Sequence, residues 1–254
     1  MSAPLIASIG TTHPWNIAGV GLDARVANEY GLPHAMAVVA VSAQDSRGLH
    51  AVAPVDPAVI AAQLDALGDG VAAYRIGALV ASETVRIVAR YVRSRATHLP
   101  VVVDPVFAVT LGGRLQRDSD LPATLFSDLL TLPVVVTPNI LEAEQLLGMH
   151  VGDVREMLAA ARGFVQRGAR AAFVKGGHLE GDAVDVVMGD GREHILTGPR
   201  LRGSMRGSGC TLAASLACEL ANGRDLLSAA EAARAYVRRK IAAETTREGL
   251  QVAF

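Results

Sequence analysis

The stretch "RGSGCTLAASLACELANG" (206–223) sets Gly207, Ser208 and Gly209 ahead of Cys210 and Thr211, and an Ala/Leu-rich pattern of helical period follows. Small residues let a backbone turn tightly and approach a ligand closely. The first N–H groups of the following helix then offer an anion site at its positive end. A phosphate fits there, as does charge developing on a phosphoryl group in transfer. A helix terminus also lowers a thiol pKa, so Cys210 is expected to be accessible as thiolate, a base beside an anion hole. The residues alone leave a second reading open: a glycine-rich turn before a packed helix, with Cys210 a small buried hydrophobe.

Three other segments carry polar groups on apolar runs. "VVVDPVFAVTLGGRL" (101–115) ends a strand in Asp104. "VVVTPNILEAEQLLG" (134–148) ends one in Asn139 and Glu142, whose Asn-x-x-Glu spacing is also that of a helix capping box. "AAFVKGGHLEG" (171–181) places Lys175 before two glycines, either as a companion to a phosphate or as an exposed lysine in a turn.

The elements that must position these groups alternate. Strands are expected at 5–9, 35–42, 72–77, 101–103, 134–137 and 171–175; several are apolar throughout, as strands covered on both faces must be. The runs 182–188 and 193–197 flank "GDG" and predict a hairpin at one end of the sheet. Helices are expected after Asp56-Pro57, from Ser82, after Asp153, from about Thr211 to Asn222, and from about Leu227 to Thr246. Asp153 and Glu156 have capping-box spacing, and Asn222-Gly223 is a C-terminal stop. Strands alternating with helices predict a single α/β domain over 1–254 with a mostly parallel sheet. Ligands of such sheets bind beyond the carboxyl ends of the strands, where all four segments fall.

Bulk properties narrow the partners. Half of the 254 residues are hydrophobic and the formal net charge is −1, which gives no reason to expect nucleic acid or an acidic membrane surface. The basic run Arg238, Arg239 and Lys240 is that of a solvated helix face. Cys210 and Cys218 are about 12 Å apart along one helix, too far to bridge. The N-terminus has no basic region followed by a long apolar run, and no apolar stretch reaches membrane-spanning length. A cytoplasmic protein with reduced thiols is expected.

The combination of "AGVGLDAR", "SAQDSRGL", "DPV", "TPNILEAE", "VKGGHLEGDAVDVV" and "GSGCTLAASLACELANG", in this order from about residue 8 to 223, resembles the hydroxymethylpyrimidine and phosphomethylpyrimidine kinases of thiamine biosynthesis. These belong to the ribokinase-like superfamily, with pyridoxal kinases as relatives. The resemblance implies a three-layer α/β/α fold and ATP-dependent, magnesium-assisted transfer of a γ-phosphoryl group to a small heteroaromatic substrate, in a protein commonly dimeric. It implies that Gly207, Ser208, Gly209 and Cys210 form the anion hole and base. Asn139 and Glu142 would hold magnesium and its waters, and Asp104, Lys175, Gly177 and Thr211 would lie toward the nucleotide. Gln44 matches the family's substrate-side glutamine.

The departures from the family pattern cluster on the acceptor side. The loop after the first strand is "THPWNIAG" rather than an Asp-Pro/Ser-x-Gly-Gly type. Trp15 there is either a hydrophobic plug or a flat wall against an aromatic ring. The acid of the family's "AGIQADLK" is read as replaced by Arg25, with an acid two residues earlier at Asp23. "RIGAL" stands for "KIGML", with Arg75 for Lys and Ala78 for Met; "DPVFAV" brings Phe107 and Ala108; Arg206 replaces a His before GSGC. Arg25 would favour a carboxylate or phosphate on the acceptor. Three functions stay open: the ordinary pyrimidine kinase, a pyridoxal-type or other kinase with an anionic acceptor, and a ligand sensor that kept the fold without turnover.

Overall fold

The computed structural model describes residues 3–107, 113, 115–177, 179–203, 205–247 and 250–252. Among them nine strands form one sheet: β1 (Leu5–Thr11), β2 (His34–Asp45), β3 (Gly48–Pro54), β4 (Val71–Ile76), β5 (Val101–Val103), β6 (Val135–Val136), β7 (Ala171–Lys175), β8 (Ala183–Gly189) and β9 (Arg192–Gly198). Their order is β3-β2-β1-β4-β5-β6-β7-β8-β9. The six central strands pair in parallel, while β3 at one edge and β8 and β9 at the other are antiparallel. The helices are α1 (Gly19–Glu29), α2 (Pro57–Ala66), α3 (Ser82–Arg95), α4 (Leu121–Thr124, running into a π-helical turn over Leu125–Leu130), α5 (Ile140–Leu147), α6 (Val154–Gln166), α7 (Ser208–Ala221) and α8 (Leu226–Ala242).

Alternation along the strands divides the helices into two layers. Val101 and Val103 pack with residues of α2 to α6, whereas Val102 packs with α7 and α8. Ile6 of β1 and Ala73 of β4 meet α1, α7 and Tyr236 of α8. The sheet is therefore sandwiched, giving the three-layer α/β/α arrangement, and the all-valine β5 is the apolar run that two covered faces require. Among the described residues no helix is long and apolar enough to cross a membrane.

Local chemistry explains most boundaries. Asp56 caps α2 by accepting from Ala58 N at 2.8 Å, with Pro57 in the first turn. Asp153 caps α6, but Glu156 Oε2 reaches Gly152 N rather than completing a capping box. Asn222 ends α7, which starts at Ser208, three residues before the expected Thr211. Ser82 opens α3, its N–H and hydroxyl both donated to Asp118. Two elements depart from expectation. β3 pairs with β2 across a tight Asp45–Gly48 turn, its alanine-rich face too weakly patterned to announce a strand. The last helix stops at Ala242, not Thr246, because β-branched Thr245 and Thr246 enter a terminal hairpin, β10 (Thr245–Arg247) with β11 (Leu250–Val252).

Strand order reverses at β1, which has β2 on one side and β4 on the other. The crevice beyond the carboxyl ends of β1 and β4 is thus the topological switch point where such sheets bind ligands.

Arg234 holds the antiparallel edge to α8. It donates to Asp185 Oδ2 at 2.9 Å, to Ala183 O at 2.7 Å and to Thr197 O at 3.3 Å. Arg234→Met is expected to cost about 1.5–3 kcal/mol, the range for hydrogen bonds to charged groups, and to raise amide exchange across β8 and β9. Arg234→Lys keeps one of the three bonds at most and should fall between. Urea unfolding that places Lys level with Arg would contradict the assignment.

Candidate active site

A charged residue in the middle of an apolar strand must carry its partners with it. Arg75 of β4 is 1% exposed. Its guanidinium donates through Nη1 to Asp23 Oδ2 of α1 at 3.3 Å and through Nη2 to Asp104 Oδ2, just past β5, at 3.1 Å. The side chain folds back over Gly77, where a Cβ would stand 2.2 Å from Nη1. From the end of β7, Lys175 Nζ donates to Asp104 Oδ1 at 2.8 Å and lies 3.9 Å from Glu142 Oε2. Thr137 Oγ1 also reaches Asp104 Oδ1, at 3.3 Å. The first turn of α7 sits on this group: a Cβ on Gly209 would be 3.1 Å from Lys175 Nζ. Cys210 lies beside Arg75, close enough for each to shift the other's titration.

Three carboxyls face two cations, so the cluster would carry one negative charge in excess if every carboxyl were ionised. Burial alone would lower Arg75, but Asp23, Cys210 and Asp104 outweigh it and hold the guanidinium charged. Burial likewise works against Lys175, and Asp104 and Glu142 raise it. Burial pushes Asp104 up, yet Lys175 and Arg75 hold it below the ordinary carboxylate value. The two remaining carboxyls are less well matched. Burial raises Asp23 to about 6 against the pull of Arg75, and raises Glu142 to about 7 against the pull of Lys175.

The thiol does not behave as its helix position predicts. Burial pushes Cys210 up, and Arg75 only partly offsets it. The free protein therefore holds a thiol there with a guanidinium beside it, rather than a thiolate stabilised by the helix end. Cys218, on the same helix, is buried and pushed up to about 12; both cysteines are free.

Asn139 and Glu142 form a complete capping box at the start of α5: Asn139 Oδ1 accepts from Glu142 N at 2.9 Å, and Glu142 Oε2 accepts from Asn139 N at 2.7 Å. Gly207 is the N-cap of α7 at φ 75°, and a Cβ there would come 2.0 Å from Ile17 O. The turn therefore rests on the loop after β1, and Ser208 follows it half-buried. Thr211 is wholly buried and its hydroxyl donates to Gly207 O at 2.9 Å, so it braces the turn from inside. Gly177 is exposed, in a loop strapped by Arg200, which donates to the carbonyls of Gly177, Leu179 and Gly181.

Of the residues expected at the acceptor, Gln44 is buried and donates to Ser42 Oγ at 2.9 Å. Ala78 packs with Ala40, Val80 and Leu115 in a small apolar cluster. Val80 has φ 56°, a strained position for a β-branched residue, at the centre of a turn closed by Ala81 N to Leu79 O at 2.7 Å. Trp15 is 41% exposed, which removes the plug reading. Ala108 lies outside the described residues.

The reading of Arg25 as the substitute for an acid is overturned. Asp23 itself is buried against Arg75, and Arg25 follows about 200° around α1 at 3.6 residues per turn. The carboxylate at this point is thus supplied by Asp23, and Arg25 does not stand in its place. Three residues were undervalued in the sequence: Arg75, His13 and Arg206. For Arg75 the signal was a charge inside "AAYRIG", an otherwise apolar strand.

Arg75 is the group whose loss should be felt most. Arg75→Met leaves Asp23 and Asp104 buried without their shared cation and is expected to cost about 3–5 kcal/mol. Adding Asp23→Asn should recover part of that loss. A denaturant titration in which the double variant is no better than the single would break the assignment.

Residues 15–252 match the phosphomethylpyrimidine kinase family. A hydroxymethylpyrimidine/phosphomethylpyrimidine kinase of Streptomyces coelicolor is 36% identical over 241 residues, covering 93% of this chain and 88% of its own. One from Rhizobium meliloti is 37% identical, covering 89% and 86%. Among solved structures, a Bacillus subtilis pyridoxal kinase in complex with ADP superposes with a TM-score of 0.88 at 27% identity, covering 99% of this chain and 96% of that one. A phosphomethylpyrimidine kinase of Clostridium difficile gives 0.82 at 25% identity, covering 93% and 98%. With the glycine turn, the lysine–aspartate pair and the strand-end carboxylates gathered at the carboxyl edge of the sheet, the chain belongs to the phosphomethylpyrimidine kinase family, a family of phosphotransferases.

Proposed function

We propose that the protein transfers the γ-phosphoryl group of ATP to hydroxymethylpyrimidine, to its monophosphate, or to both, in thiamine biosynthesis. The observation that carries this reading is the seating of the Gly207–Cys210 turn on the Lys175–Asp104 pair. Phosphoryl transfer asks mainly for positioning and charge neutralisation, and a helix N-terminus beside a lysine supplies both. In this assignment Ser208 and Gly209 direct backbone N–H groups at the transferred group, and Lys175 meets its oxygens. The Gly177 loop lies toward the nucleotide. Gln44, Ala78 and Trp15 border the acceptor.

The donor set fits magnesium. Among the described residues no three His, Cys, Asp or Glu side chains gather into a cage, and Mg²⁺ commonly uses one or two carboxylates and completes its shell with water and phosphate. Glu142, a buried carboxyl driven up to about 7 for want of positive charge, is the group a cation would relieve, with Asp104 next to it. Bound there, the ion would neutralise the nucleotide phosphates. Cys210 receives or orients the proton of the acceptor hydroxyl, and Arg75 is the countercharge that makes a thiolate tolerable. The protein is further proposed to act as a cytoplasmic homodimer.

The sequence relatives favour the pyrimidine over pyridoxal as acceptor. An ATP-consumption assay with hydroxymethylpyrimidine, its monophosphate and pyridoxal decides among the readings; no turnover of any leaves the sensor. Cys210→Ala should lower kcat by about 10²–10⁴-fold, the range for general-base loss, with nucleotide affinity little changed. Activity within a few-fold of wild type would make the cysteine structural.

Glu142→Gln separates the two duties of that side chain. Glutamine serves the capping box as well as glutamate does, so stability should be nearly kept while the magnesium requirement rises. Ionised Glu142 is the useful form and its pKa is raised, so kcat/KM of the wild type should climb as pH passes through about 7. The variant should lose that climb. A magnesium titration and pH profile unchanged in Glu142→Gln would return the residue to a purely capping role.

A further inference from the structure

Two buried hydrogen-bond donors on segments packed at the Gly207 turn have no acceptor among the described residues. His13, in the loop after β1, is 2% exposed, and its Nδ1 accepts the Trp15 N–H at 3.1 Å. A neutral ring so engaged carries its proton on Nε2, and Nε2 is buried without a partner among the described residues. Arg206, the residue before the Gly207 turn, has its Nη1 buried without a partner as well. The two segments are packed together where Gly207 meets Ile17 O. Buried donors of this kind are ordinarily satisfied, and leaving one unmade costs more than a formed bond gains.

We propose that His13 Nε2 and the Arg206 guanidinium form an oxyanion subsite beside the phosphoryl-binding turn, one that takes a carboxylate or phosphate borne by the acceptor molecule. This rests on the kinase reading for the identity of the neighbouring turn, and it moves the anionic preference first attached to Arg25 onto residues of the two segments that meet at that turn. Two donors and one fixed positive charge match the two or more lone pairs of an oxyanion; an ammonium has none to offer them. Burial and then the charge of Arg206 lower His13 to about 4, so the ring is neutral at physiological pH and the subsite carries the single charge of the arginine. A guanidinium and an N–H on one oxyanion also suit a planar carboxylate or a phosphate better than a point charge would.

The test is equilibrium binding by titration calorimetry, with hydroxymethylpyrimidine, its monophosphate, and an analogue bearing carboxylate in place of the phosphate as probes. Wild type should bind at least one anionic probe tenfold or more tighter than the neutral one, and which of the two gains identifies the oxyanion. Arg206→Met should cut the preference to about threefold or less. His13→Leu should reduce it too, while His13→Gln, which keeps an N–H donor, should retain most of it. Circular dichroism and thermal melting establish that each variant is folded; Arg206→Gln serves if Arg206→Met is not. Equal binding of all three probes by wild type, or an intact preference in a folded Arg206 variant, overturns the proposal. ATP turnover is scored separately: preference without turnover defeats the kinase reading and leaves the subsite, whereas turnover without preference does the reverse.

Discussion

A guanidinium inside a parallel sheet exists only if its carboxylates are delivered to it. Removing Arg75 from water costs several kcal/mol, which good geometry and full hydrogen bonding must return. The partners come from different places: Asp23 from α1 on one face of the sheet and Asp104 from the loop beyond β5. Asp104 is shared with Lys175 at the end of β7. One buried charge therefore ties α1, β4, β5 and β7 into a fixed relation at the switch point. Gly77 follows from the same constraint, since any side chain there would occupy the space of the guanidinium.

The same cluster sets the chemistry of the residues around it. With three carboxylates against two cations, some group must be under-compensated, and the burden falls on Asp23 and Glu142, both pushed up by burial. Glu142 is the one at the edge, beside Lys175 and at the N-terminus of α5, so a cation arriving with phosphates would meet the carboxyl with most to gain. Cys210 is the counterpart. Its thiol is held protonated by burial while Arg75 stands beside it, the positive charge that the proposed base role calls for.

The sheet was legible in the sequence because its strands are apolar on both faces and its turns carry glycine and asparagine at the ends. β5 and β7 begin and end where "VVV" and "AAFVK" do. β3 was not legible: "GLHAVAP" has little hydrophobic contrast and owes its strand to pairing with β2, a long-range effect. The terminal hairpin was hidden by the strong helical period of α8 just before it. Within the site, Asp104, Asn139, Glu142, Lys175 and the glycine turn fell at strand ends, and strand ends are readable. The pairing of Asp23 with Arg75 was not, because it joins a helix to a strand of the sheet it packs on, 52 residues apart in sequence.

Helix geometry explains why the charge reversal attributed to Arg25 does not occur. Two positions two residues apart on a helix look in nearly opposite directions, so a helix that aims Asp23 at Arg75 cannot also aim Arg25 there. What differs instead is the lip of the pocket. Trp15, Asn16 and Ile17 turn tightly after His13, with Asn16 at φ 49° and its N–H bonded to His13 O at 2.9 Å, and this turn presses Ile17 O onto Gly207. The imidazole is thereby buried by its own loop and by the segment that carries Arg206. Had the loop opened, both donors would reach water and carry no selectivity; closed as it is, their energy is recoverable only by a ligand that brings oxygen acceptors. The proposed subsite thus depends less on side-chain size than on how one loop and one glycine turn exclude solvent from two donors.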